Sequence, residues 1–150
     1  MKHWQAIIAD RKEAGSERRD VYCPWDQRVI ATVEECTAAD AEQALQTAAR
    51  LFENRDGWLE AQTRLKILER AATLLKERGE DFALQAAAEG GKPLVDSRVE
   101  IARAVDGLKS CAECIRTHSG REIPMELDGA SAQRLAVTSH EPIGVVVAVS

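Results

Sequence analysis

Hydrophobic and polar positions change their period twice along this chain. From Trp4 to Val33 the apolar residues come in short pieces, HWQAIIAD, DVYCP and VIATV, divided by polar turns, with Trp25-Asp26-Gln27-Arg28 between the last two. β-Branched residues with tight punctuation predict a small antiparallel sheet or hairpin. The next stretch follows a helical period. Thr37-Ala38-Ala39-Asp40 has the form of a capping box, with Asp40 where Glu or Gln is usual, and opens a face of Ala41, Ala44, Leu45, Ala48, Leu51 and Phe52. This first helix is expected to end between Asn54 and Gly57. After Trp58 a second helix places Leu65, Leu68, Ala72 and Leu75 on one face, widened by Ile67, Ala71 and Leu74, and stops at Gly79. A third runs from about Asp81 to Glu89, closed by Gly90-Gly91, with Pro93 forbidding continuation. Ser97-Arg98-Val99-Glu100 fits the capping box and predicts a fourth helix with Ile101, Val105, Leu108, Ala112 and Ile115 inward and Gly120 at its end.

The pattern then returns to extended chain. Ala132 to Ser139 alternates Leu135 and Val137 with polar neighbours, the pattern of a half-exposed strand. Ile143 to Val149 does not alternate, which predicts a strand covered on both faces, as in a parallel sheet. Burying Ile143, Val145, Val146, Val147 and Val149 is worth about 1.5–3 kcal/mol each, roughly 8–15 in all. That matches a whole domain's net stability of ~5–15 kcal/mol. Such a strand demands a sheet, so the sequence reads as the N-terminal part of a longer protein. The alternative is that the strand pairs with the N-terminal hairpin and closes a self-contained α+β domain.

Composition removes several function classes. The 150 residues are 45% hydrophobic and 30% charged, an ordinary globular balance. Aromatic residues are only 4%, and the abundance of alanine points to closely packed helices. Lys and Arg number 20 against 25 Asp and Glu and form no stripe, so neither nucleic acid nor an anionic membrane is an expected partner. No apolar run approaches the roughly 20 residues of a membrane span. The N-terminus MKHWQAIIADRK lacks the apolar core of a signal peptide, and the chain reads as cytoplasmic.

The order of short motifs resembles one family across nearly the whole chain. Cys23-Pro24 forms a bend, Thr37-Ala38-Ala39-Asp40 opens a helix, and Trp58, Arg64 and Leu68 follow. Then come Glu89-Gly90-Gly91-Lys92-Pro93, Glu100 with a long helix to Gly120, and His140-Glu141-Pro142-Ile143-Gly144-Val145-Val146. Together these are similar to the amino-terminal third of the NAD(P)-dependent aldehyde dehydrogenases. The resemblance implies an α/β fold: an N-terminal β-hairpin, four helices, then strands entering a Rossmann-type parallel sheet. Residues 1–150 would be the N-terminal part of the dinucleotide-binding domain, with 121–140 resembling the oligomerisation arm and the catalytic domain absent.

The activity implied is oxidation of a small aldehyde to an acid with NAD or NADP, in a homo-oligomer, dimer or tetramer. A cysteine thiolate would add to the carbonyl and a glutamate would activate the hydrolytic water, with an asparagine and a backbone N–H holding the oxyanion. By the resemblance these groups lie beyond Ser150, so no catalytic residue is expected here and the 150 residues alone should not turn over. Cofactor contacts implied within the chain are backbone atoms of Val149 and Ser150. A structural monovalent cation is implied at Val21, Tyr22 and Glu89, an oxygen-only environment suited to a hard ion. The bend here reads Tyr22-Cys23-Pro24, where the family often has an asparagine before the proline.

Other features have plainer readings. Cys111-Ala112-Glu113-Cys114 lies about four turns into its predicted helix, whereas reactive pairs usually sit at a helix N-terminus, and it reads as structural thiols. Zinc would need two further ligands, and Cys23 and Cys36 lack paired spacing. His3, His118 and His140 share no metal-like spacing. Gly90-Gly91-Lys92 ends a helix where a phosphate loop would begin one. A freestanding helical module that pairs its apolar strand with a partner's sheet edge is the competing function.

Overall fold

The computed structural model describes residues 2–9 and 17–149. Three strands, β1 (Lys2–Trp4), β2 (Glu17–Tyr22) and β3 (Val29–Glu35), form a sheet of order β1-β3-β2. β2 and β3 are the expected antiparallel hairpin, with Glu17 opposite Glu35 and Val21 opposite Ala31. The register slips between Val21 and Tyr22, a bulge that bends β2 just before the turn. The turn is closed by Cys23 N–H to Arg28 O and Gln27 N–H to Cys23 O, both 2.9 Å, with Gln27 at φ 59°. β1 joins β3 in parallel, not antiparallel as the spacing predicts. His3 Nδ1 meets Thr32 Oγ1 at 2.9 Å, and the Ala6 N–H donates to Glu34 Oε2 at 3.2 Å, so side chains of β3 hold the incoming strand.

Four α-helices follow. α1 (Ala38–Glu53) begins with the predicted box: the Asp40 N–H donates to Thr37 Oγ1 at 3.2 Å, and the Thr37 N–H to Asp40 Oδ2 at 2.8 Å. Aspartate, one methylene shorter than glutamate, still reaches back, and it is buried. A 3-10 turn at Arg55–Gly57 leads to Trp58, whose indole N–H donates to Phe52 O at 2.9 Å and whose ring stacks on Phe52 at 5.7 Å. α2 (Ala61–Glu77) and α3 (Gly79–Gly90) meet at Arg78, and both pack on α4 (Leu94–Thr117), the long axis of the helical layer. Ala72, Ala83, Val105 and Ala112 are buried where these helices meet. Alanine lets the backbones approach closely, which fits the low aromatic content.

α4 corrects one expectation. Ser97 is not a cap; the helix opens a turn earlier, after Pro93 at φ −56°, with Asp96 and Ser97 N–H groups both bonded to Pro93 O. Proline supplies the starting dihedral without side-chain capping. Ser97 is instead fully buried in the packed face, and its hydroxyl has no hydrogen-bond partner among the described residues. The expected inward residues Val105 and Ala112 are buried, with Ile101, Leu108 and Ile115 half-buried beside them. Gly120 does not end this helix, which stops at Thr117.

The two-stranded ribbon β4 (Glu122–Ile123) and β5 (Ala136–Val137) comes next. Gly120 is required by this ribbon: a Cβ there would fall inside the Thr138 carbonyl. The predicted strand 132–139 shrinks to two residues, and its inward residue is Ala136, with Leu135 and Val137 exposed. Residues 143–149 form no regular strand and pair with no sheet among the described residues, so the self-contained α+β alternative is not formed. Ile143 is 92% exposed and Val149 94%. The apolar face of α1 is likewise open, with Leu51 at 63%. No described helix is long and apolar enough to cross a membrane.

Candidate functional site

The densest gathering of motif residues is the corner where the hairpin bend meets the α3–α4 junction. α3 ends because Gly91 turns to φ 65°, the left-handed region, where its N–H donates to Ala87 O at 2.9 Å. An added Cβ at Gly91 would lie 3.3 Å from Pro24 Cβ, so the bend at Cys23-Pro24 is seated against this cap. Lys92 then reaches across the start of α4 to hydrogen-bond and ion-pair with Glu100. Glycine, lysine and proline in this motif therefore serve three different local requirements: backbone freedom with close approach, an ion pair, and helix initiation. Gly90-Gly91 is a helix end and makes no phosphate loop.

Of the residues expected to hold a cation, Val21 and Tyr22 flank the bulge of β2, and Glu89 stands two residues before the cap that Pro24 touches. Glu89 Oε1 accepts from Gln85 Nε2 at 2.8 Å, and its side chain borders the open groove between the sheet and α3 with Trp4 and Arg28. No three or more His, Cys, Asp or Glu side chains among the described residues are arranged to hold a metal.

The second candidate region is the terminal segment. Arg55 Nη1 lies 3.5 Å from Glu141 Oε2, and the rings of His118 and His140 lie 3.8 Å apart, so the end of α4 and the α1–α2 connection both touch the approach to Pro142. Val149 is fully open at its end, and Ser150 lies outside the described residues.

Shifted ionisations belong to surface pairs and turns. Glu80 is held below its ordinary value chiefly by hydrogen bonds from Arg98, at 2.6 and 2.9 Å, and Arg98 is raised by the same bonds. The Arg28 N–H lowers Asp26, and Ser131 lowers Asp128. Cys23 is buried in the bend, while Cys36, Cys111 and Cys114 are exposed free thiols, so the C-x-x-C pair does not pack the core. The seating of Pro24 on Gly91 and the Lys92–Glu100 pair escape sequence reasoning. The signal available was the glycine followed by Lys-Pro, which marks a cap and a restart but does not name their partners.

Comparison with known proteins agrees with this architecture. Residues 11–150 match the model of the aldehyde dehydrogenase family. A 3-sulfolactaldehyde dehydrogenase of Priestia aryabhattai is 31% identical over all 150 residues, which span 31% of that protein. An aldehyde dehydrogenase 21 from Physcomitrella patens, solved with the reaction product succinate, superposes with a TM-score of 0.79 at 26% identity, covering 87% of this chain and 27% of that one. A betaine aldehyde dehydrogenase of Staphylococcus aureus, solved with NAD+, gives 0.76 at 28% identity, covering 83% and 26%. The chain thus spans between a quarter and a third of the length of these relatives. With the family model matched over residues 11–150, the chain belongs to the aldehyde dehydrogenase family.

Proposed function

We propose that these residues are the N-terminal part of the dinucleotide-binding domain of an NAD(P)-dependent enzyme that oxidises a small aldehyde to its acid. The carrying observation is the family match over residues 11–150. The open terminal segment supports it, because Ile143 and Val149 stay in water with no strand to join among the described residues, the condition expected of a strand that completes a larger sheet. In that enzyme a cysteine thiolate outside these residues adds to the aldehyde carbonyl, and a glutamate activates water to hydrolyse the resulting thioester. The nicotinamide, when bound, accepts the hydride. Cys23, Cys36, Cys111 and Cys114 take no part in this, and the 150 residues alone have no turnover.

Within the chain, cofactor contact falls to backbone atoms of Val149 and Ser150; the exposure of Val149 leaves its backbone available. Gly90-Gly91 is not a phosphate-binding turn, since Gly91 caps a helix C-terminus. A structural monovalent cation at Val21, Tyr22 and Glu89 fits the oxygen donors there, because the bulge between Val21 and Tyr22 disturbs the regular ladder at those carbonyls. The ribbon over 121–140, with outer edges unpaired among the described residues, suits addition to a neighbouring subunit's sheet in a homo-oligomer. The enzyme works in the cytoplasm.

The test is the native gene product. Its intact mass and its reduction of NAD+ or NADP+ by small aldehydes are measured beside the 150-residue chain. A longer product with activity that the short chain lacks is the expected result. A native product of 150 residues, inert toward every aldehyde, would replace the enzyme with the interaction-module reading.

A further inference from the structure

Ser97-Arg98-Val99-Glu100 carries both letters of a capping box, yet the helix that contains it opens a turn earlier, at Leu94. That earlier start is weakly held. Pro93 offers no side-chain cap, and the Asp96 and Ser97 N–H groups share a single acceptor, Pro93 O, at 3.1 and 3.2 Å. Both side chains of the unused box are diverted from it. The Ser97 hydroxyl has no hydrogen-bond partner among the described residues, and these residues already enclose Ser97 completely, so further chain cannot reach it. A buried hydroxyl left unpaired is a standing cost to the closed helix. The Glu100 carboxylate, the other half of the box, is held instead by Lys92.

We propose that the start of α4 is a two-state joint, closed at Pro93 and open at Ser97, with the Lys92–Glu100 pair as its latch. In the open state Leu94, Val95 and Asp96 leave the helix. The Ser97 hydroxyl then accepts from the Glu100 N–H and the Glu100 carboxylate accepts from the Ser97 N–H, so the box forms and the buried hydroxyl gains its partner. Opening gives up the helical bonds of the first turn, which keeps the open state the minor one. Lys92 and Pro93 follow directly on Gly91, whose added Cβ would lie 3.3 Å from Pro24 Cβ. Freeing Leu94 to Asp96 turns this junction into a short tether, and the corner that seats the hairpin can shift without tilting α4. The joint lies within residues 92–100 and is independent of aldehyde oxidation.

The test is hydrogen exchange of the native gene product, resolved to single residues by mass spectrometry with electron-transfer fragmentation. The Arg98 and Val99 N–H groups lose their helical acceptors on opening and gain none, so they report the open state. Glu100→Gln keeps a box-forming side chain but loses the charge that Lys92 holds, and should speed exchange at Arg98 and Val99 about two- to fivefold. Lys92→Met releases the same latch from the other side and should match it. Ser97→Ala removes the alternative cap, and should by itself slow exchange at these positions at least about twofold. In S97A/E100Q the acceleration should vanish, whereas an ion pair that merely braced the closed helix would give the same acceleration with or without Ser97. Unchanged exchange in Glu100→Gln and Lys92→Met, acceleration that persists in S97A/E100Q, or faster exchange in Ser97→Ala alone would each overturn the joint.

Discussion

Gly90 and Gly91 are adjacent, yet alanine should have opposite effects at the two positions. At Gly91 the backbone sits at φ 65°, where an L-residue with a Cβ costs roughly 1–2 kcal/mol. The new methyl would also press on Pro24 Cβ at 3.3 Å, so the seat of the hairpin must shift by a few tenths of an ångström. The unfolded chain gives back about 0.4–1 kcal/mol through its reduced freedom. With the Pro24 contact adding to the dihedral cost, the net expectation for Gly91→Ala is a loss of about 0.5–1.5 kcal/mol. Gly90 is within α3, and the nearest atom to its added Cβ is the end of a flexible chain, Lys92 Cγ, at 4.0 Å. Gly90→Ala should therefore gain up to about 1 kcal/mol of helix propensity. Urea denaturation followed by far-UV circular dichroism measures both, and the variants should differ by roughly 0.5–2.5 kcal/mol in midpoint-derived stability. Gly91→Asn should fall between them, since asparagine tolerates the left-handed region. If the two alanine variants shifted alike, or Gly91→Ala were stabilising, the cap and the Pro24 contact would not be what these glycines are for.

Thr37→Ala removes the acceptor for the Asp40 N–H and should cost about 0.5–2 kcal/mol, read in the same denaturation experiment; a change near zero would mean that the box does not hold α1. Glu80 titrates below its ordinary 4.5 because Arg98 bonds its charged form, so whatever this pair contributes is complete above 4.5 and lost as pH falls through the lowered value. Arg98→Gln should return the Glu80 carboxyl to the ordinary range in an NMR titration, and an unmoved midpoint would refute the pairing. The exposed Ile143, Val146, Val147 and Val149 should bind a hydrophobic dye in the isolated chain. Val146→Asp with Val147→Lys should sharply reduce its fluorescence, and undiminished dye binding would place the apolar patch elsewhere.

The helices were legible because their apolar residues recur at a helical period and their ends carry strong local chemistry, as Thr37 with Asp40 and Gly91 with Pro93 show. Ser97-Arg98-Val99-Glu100 misled because a capping box and the interior of an amphipathic helix can share letters, and Pro93 with its fixed dihedral took the helix start. The parallel placement of β1 depends on pairings of His3 with Thr32 and Ala6 with Glu34 that no spacing rule contains. Alternation puts Leu135 and Val137 on one face of a half-exposed strand without saying which face is covered, and here Ala136 is the one turned in. For the candidate site, the motif residues were visible but their partners were not: nothing local to Gly91 says that Pro24 rests on it.

The 24 residues of α4 have a mechanical consequence. A helix of that length is a rod of about 36 Å, fixed at one end to the junction that also seats the hairpin and leading at the other into the ribbon. A tilt of about 5° at its start would carry its far end through about 3 Å over that length. Small substitutions beside Pro93 would therefore be felt most at the distant ribbon, as misalignment of β4 and β5 against whatever they meet.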